Sequence, residues 1–163
     1  MKTEWILRHR GQDIPTGAIC AGETRDDGRV YVARFKDTPG KVNCGRGRGV
    51  QIHNFWVHGE NSSVTGEVLV TNGLVKWVPV GRGDPIPSTA VYSGIDSSGD
   101  KVWVGRSKKH GEPGKINCHD NASKTPEMWN LWRHSNSLSS SDAELLTILE
   151  PSLKDVGYTY IYL

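Results

Sequence analysis

The chain has 163 residues and a mass of 18.0 kDa, the size of one ordinary domain or two very small ones, which excludes a multidomain assembly. Apolar residues make up 36% and charged residues 23%, yet six Trp and five Tyr are present to anchor a core. Twenty basic against eighteen acidic residues leave a net charge of +2, too weak a field to gather a nucleic-acid backbone, and no apolar run approaches the roughly 18 residues of a membrane span.

The opening Met1 to Arg10 segment lacks the apolar centre of a secretory signal. The expected location is therefore the cytoplasm, or the outside of the cell by a route that uses no signal peptide. Three cysteines, Cys20, Cys44 and Cys118, cannot all pair with one another, so free thiols are expected. Nineteen Gly and eight Pro scattered among Val, Thr, Ile and Trp favour short strands joined by turns, and no segment sustains a helical period.

Taken along the chain, strands are predicted over Trp5 to Arg8, Ala18 to Glu23 and Arg29 to Phe35. In Val30-Tyr31-Val32-Ala33-Arg34 the period of two sets both valines and the arginine on one face and the tyrosine on the other. Pro39-Gly40 reads as a turn after which Lys41 begins a short strand, Arg46-Gly47-Arg48-Gly49 as a solvated loop, and Gln51 to Val57 and Gly66 to Thr71 as two further strands.

The same pattern then repeats. A shift of 72 lays Trp5 on Trp77, Arg10-Gly11 on Arg82-Gly83, Ile14-Pro15 on Ile86-Pro87, Ala18 on Ala90, Gly22 on Gly94, and Val30, Val32 and Arg34 on Val102, Val104 and Arg106. Those ten identities compare with roughly two expected between unrelated segments of that length. Past a two-residue insertion the shift becomes 74, and Pro39-Gly40-Lys41-Val42-Asn43-Cys44 falls on Pro113-Gly114-Lys115-Ile116-Asn117-Cys118. Asn54-Phe55-Trp56-Val57-His58 is echoed by Asn130-Leu131-Trp132-Arg133-His134, and Glu67-Val68-Leu69 by Glu144-Leu145-Leu146.

The expected architecture is all-β: two tandem, pseudo-symmetric antiparallel repeats, residues 1–73 and 74–150, packed around a shared core because neither half buries enough surface alone. Ser137 to Ser141 reads as a flexible polar loop. Residues 151–163 have no counterpart in the first repeat, and the alternation of Tyr158, Tyr160 and Tyr162 predicts an extra C-terminal strand at a sheet edge or crossing to a partner subunit.

Arg34 and Arg106 are expected to form half-buried pairs with the recurring Glu67 and Glu144. Lys41 and Lys115 are the first binding candidates, since a lysine recurring beside Pro-Gly is unusual where only solvation is wanted. Asp96 follows Gly94 by two residues, and a carboxylate converging with an ammonium supplies an acceptor and a donor for adjacent sugar hydroxyls. Tyr31, Trp103, Trp56 and Trp132 could add an apolar face for a pyranose. Arg82-Gly83-Asp84 spells a cell-attachment tripeptide, but falls in a repeat turn opposite Arg10-Gly11-Gln12. Asn61 and Asn121 stand in glycosylation sequons that matter only in a secreted chain. Cys118-His119 with Cys44 invites a thiol-hydrolase reading, yet recurrence of the cysteine argues for a structural position. His53, His58, His119 and His134 lack metal-ligand spacing, so neither a metal nor any other cofactor is expected.

The Ile-Pro, Gly, Tyr/Trp-Val-x-Arg, Pro-Gly-Lys and Glu-x-Leu elements, in that order twice between Glu4 and about Glu150, resemble the tandem DM-nine repeat proteins. The resemblance implies an all-β fold of two intertwined repeats, frequently dimeric, as in invertebrate mannose-binding lectins and the lectin-like half of natterin-type pore-forming proteins. It implies metal-independent mannose binding, without catalysis, through an Asp and a Lys that match Asp96 and Lys115. In the first repeat Lys41 is kept, while Thr24 stands in the aspartate column beside Glu23, so the second mannose site the resemblance implies is Lys41 with Thr24 or Glu23. The implied partners are mannose-containing glycans, on microbial surfaces in the setting of innate pattern recognition and agglutination, and a second copy of the chain. A non-catalytic module acting through protein contacts or at a membrane is the alternative the same resemblance allows.

Overall fold

The computed structural model describes residues 3–45, 49–59, 62–119, 125–134 and 139–149. The predicted C-terminal strand, Arg46 to Arg48, Asn61 and Asn121 lie outside them. The fold is all-β. The first repeat contains β1 (Thr3–His9), β2 (Cys20–Thr24), β3 (Gly28–Phe35), β4 (Thr38–Asn43), β5 (Asn54–Val57) and β6 (Thr65–Thr71). The second contains β7 (Val75–Gly81), β8 (Tyr92–Ile95), β9 (Lys101–Arg106), β10 (Pro113–Cys118), β11 (Met128–Trp132), β12 (Ser139–Ser140) and β13 (Asp142–Ile148). No helix among the described residues is long and apolar enough to cross a membrane.

Each repeat is its own antiparallel sheet, ordered β1-β6-β3-β4-β5 with β2 also on β3, and β12-β11-β10-β9-β13-β7 with β8 also on β9. Apart from β12, the two sheets are the same design carried out twice. Among the described residues, three clusters of buried side chains fill them. One lies within the first repeat around Ala33, Val42, Phe55 and Val68, and one within the second around Trp103, Ile116, Met128 and Leu131. The third is common to both: Ile19, Val32 and Leu69 meet their repeat counterparts Val91, Val104 and Leu146, flanked by Trp5 and Trp77. The alternation of a strand explains this layering, because Val68 and Leu69 are both fully buried while facing opposite ways, one into its own repeat and one toward the other. Full burial of such side chains contributes roughly 1.5–3 kcal/mol each.

Two sequence expectations need correction. Pro39-Gly40 and Pro113-Gly114 are not turns but lie inside or at the start of β4 and β10. The first hairpin instead turns at Lys36-Asp37, both with positive φ (48° and 64°), a two-residue loop between the paired Phe35 and Thr38. Gly40 is required by crowding, since a Cβ there would stand 2.1 Å from the Trp56 carbonyl oxygen, and one at Gly114 2.3 Å from that of Trp132. Pro39 is tolerated because β5 pairs with β4 only from Gly40 onward, which leaves its outer side free of a ladder. Within the predicted serine loop, Ser139 and Ser140 form β12 and pair with Trp132 and Leu131, because a third strand is in register to receive them.

Candidate functional site

Lys41 lies across from Val32 on one side and Trp56 on the other, and Lys115 across from Val104 and Trp132. Directly paired residues share a sheet face, so both lysines stand on the face that carries Val32 and Val104 toward the other repeat. Tyr31 and Trp103 alternate to the opposite face and pack into the separate cores, so of the four candidate aromatics only Trp56 and Trp132 accompany the lysines. Their indole N–H groups donate to Asn43 Oδ1 (3.1 Å) and Asn117 Oδ1 (3.0 Å). A histidine of the other repeat meets each ring: His134 against Trp56 with centroids 5.5 Å apart, and His58 against Trp132 at 5.1 Å.

In the second repeat Lys115 Nζ donates to Asp96 Oδ2 at 2.5 Å. Asp96 opens the β8–β9 turn, where its Oδ1 accepts from the backbone N–H groups of Ser98 and Asp100 at 3.0 Å each. Burial works to raise this carboxyl's pKa, but Lys115 and the two N–H donors outweigh it and hold the group below its ordinary value. The Asp96 side chain is 1% exposed and that of Lys115 11%. Recurrence pointed to Lys115, the place two residues after Gly94 to Asp96, and the resemblance to both, and the fold brings them together.

The first repeat is built differently. Lys41 Nζ donates to Asp27 Oδ2 at 2.6 Å and to Glu112 Oε1 of the second repeat at 2.8 Å. Its partners among the described residues are thus neither Thr24 nor Glu23. Thr24 Oγ accepts from the Asp27 backbone N–H at 3.2 Å and shapes the turn, while Glu23 sits in the β2–β3 ladder opposite Arg29. The carboxylate has moved to the far end of the turn, to the position Gly99 holds in the second repeat, and is fixed there by Asn43 Nδ2 at 2.8 Å.

Glu112 ties the two halves. Its carboxylate accepts from Lys41, from Arg133 Nη1 at 3.1 Å and from His134 Nδ1 at 3.0 Å. Burial opposes the charge, but His134 and Lys41 more than compensate and lower its pKa to about 2. Asp27 and Glu112 escaped the sequence reading. The one available signal was that Glu112 precedes Pro113-Gly114-Lys115 where Thr38 precedes Pro39-Gly40-Lys41.

The remaining candidates have structural partners. Arg34 meets Glu67 at 2.8 Å and lies 4.4 Å over the Trp5 ring, and Arg106 meets Glu144 at 3.0 Å and lies 4.4 Å over Trp77. Arg82 of the tripeptide stacks on Trp129 at 4.2 Å and bonds Asn130 Oδ1, and Asp84 accepts from the Gly81 N–H, so both charged ends are engaged within the fold. Cys44 and Cys118 are buried, and desolvation pushes the Cys118 thiol up to about 11, away from a nucleophilic thiolate. His119 packs on Trp129 at 4.9 Å. Two clefts of about 490 and 430 Å³ open on the Trp103 and Tyr31 faces, and neither is lined by Lys41 or Lys115. No family model matches the chain, and no curated protein matches it.

Proposed function

We propose that the chain is a non-catalytic lectin that recognises mannose-type glycans through Lys115 and Asp96 without a metal. The observation that carries this reading is a lysine ammonium paired with an aspartate carboxylate and set beside an indole on the inter-repeat face, an arrangement present in both repeats. Lys115 Nζ gives one of its three N–H donors to Asp96, its one hydrogen-bond partner among the described residues, which leaves donors for a sugar hydroxyl. Asp96, held by the Ser98 and Asp100 N–H groups, fixes the ammonium's position. Trp132 offers an apolar surface to the pyranose C–H groups.

A site of this kind binds one sugar weakly, because removing hydroxyls and charges from water offsets much of what the new bonds contribute. Useful avidity would come from a homodimer presenting several sites to a glycan-coated microbial surface, which is the setting for pattern recognition and agglutination. The test is retention on immobilised mannan, with the fold of each variant checked by near-ultraviolet circular dichroism. The folded Lys115→Ala variant should elute with the void while wild type is retained and displaced by free mannose. Equal retention of the two would overturn the assignment, and no retention of either would favour a protein-interaction module.

A further inference from the structure

The two lysine sites differ in a way that the pseudo-symmetry makes readable. Around Lys41 stand Asp27 and, reaching over from the other repeat, Glu112 anchored by Arg133 and His134. The repeat counterparts of Glu112 and Arg133 are Thr38 and Val57, so these two positions bring no carboxylate and no guanidinium to the second-repeat site, and Asp96 is the one carboxylate paired with Lys115 among the described residues. Lys115 accordingly shows a single carboxylate partner among the described residues, whereas Lys41 has two and its side chain is only 6% exposed.

We infer that Glu112 is an internal plug: its carboxylate occupies the place at Lys41 that a ligand hydroxyl would take, so the first-repeat site is closed and each chain binds one glycan unit, at Lys115. This rests on the proposed lectin reading and adds to it the number of sites and the residue that sets it. The plug is strong for a physical reason. Two carboxylates against two cations, Lys41 and Arg133, give a buried cluster with balanced charge, and a neutral sugar hydroxyl cannot replace a carboxylate there without leaving a cation uncompensated. Glu112 stays ionised throughout the range in which such a protein works, because its neighbours hold its pKa so low.

The test uses methyl α-mannoside, read by calorimetric stoichiometry and by the two indole N–H resonances, assigned through Trp56→Phe and Trp132→Phe. Wild type should give one site per chain, with the Trp132 resonance shifting and the Trp56 resonance still. The pair Glu112→Thr with Arg133→Val installs the first-repeat counterparts, Thr38 and Val57, and removes one charge of each sign, so no buried ion is left alone. That variant should give two sites per chain and a shift at Trp56. Two sites in wild type, a shift at Trp56 in wild type, or one site in the folded double variant would overturn the plug and leave the lectin reading intact. No binding by wild type would overturn both. Should the double variant fail to fold, the wild-type spectrum decides alone, since a still Trp56 beside a moving Trp132 supports closure and a moving Trp56 refutes it.

Discussion

Arg34 Nη1 donates to the backbone carbonyl of Ser93 in the other repeat at 2.6 Å, and its counterpart Arg106 returns the same bond to Ala21 at 2.6 Å. Each guanidinium therefore serves a glutamate of its own sheet, a tryptophan face and a carbonyl across the interface at once, and Arg34 also lies 3.5 Å from Asp37. Arginine rather than lysine is needed, because only a planar fork presents donors in several directions while stacking on a ring. Arg106→Lys should destabilise the chain by about 1.5–3 kcal/mol in urea unfolding, the range for a lost hydrogen bond to a charged group. Lys108→Ala, which breaks the exposed 3.5 Å pair with Asp142, should leave the midpoint in place. Equal effects of the two would show that the interface bond contributes nothing.

Crowding at Gly40 predicts that Gly40→Ala destabilises by roughly 1–3 kcal/mol, as overpacking does, because the Trp56 carbonyl and the Val57 side chain stand where the methyl must go. Gly114→Ala should cost a similar amount against the Trp132 carbonyl. Thermal unfolding checks both, and an unchanged midpoint would contradict the packing assigned to the Pro-Gly-Lys element.

Acid should loosen the join between the repeats. Glu112 titrates near 4.5 when unfolded and near 2 when folded, so its stabilising contribution is complete above about pH 4.5 and lost as pH falls toward 2. The linkage amounts to up to about 3 kcal/mol, and Asp96, whose folded pKa is also lowered, acts in the same direction. Unfolding free energies measured between pH 5 and 2.5 should fall steeply in wild type and more gently in Glu112→Gln. Parallel slopes would show that Glu112 is not the group responsible.

Thiol chemistry should sort the cysteines by burial. Cys20 is exposed while Cys44 and Cys118 are buried with raised pKa values, so a native chain should react quickly with an aromatic disulfide reagent at one thiol and in denaturant at all three. Fast modification of Cys118 in the native chain would reopen the thiol-hydrolase reading.

The repeats and most strands were legible because identical residues recur at fixed spacing and because strand periodicity is local. The Arg34–Glu67 and Arg106–Glu144 pairs followed from the same recurrence. What escaped was non-local or broke the repeat. A Pro-Gly pair looks like a turn until Trp56 and Trp132 are seen pressing on the glycine from the neighbouring strand. Asp27 does not stand in the column of Asp96, yet a tight turn lets a carboxylate reach the repeat's lysine from either end, Asp27 to Lys41 and Asp96 to Lys115. Glu112 and Lys41 are 71 positions apart and belong to different copies, so nothing in either copy alone announces their contact.

The most direct measurement is a calorimetric titration of the purified chain with mannose and a mannose-rich oligosaccharide, with and without chelator, beside galactose and glucose. Mannose-selective heat is expected that survives chelator, fits one site per chain and is absent from Lys115→Ala. Silence toward every sugar from folded protein, or binding that Lys115→Ala leaves intact, would contradict it.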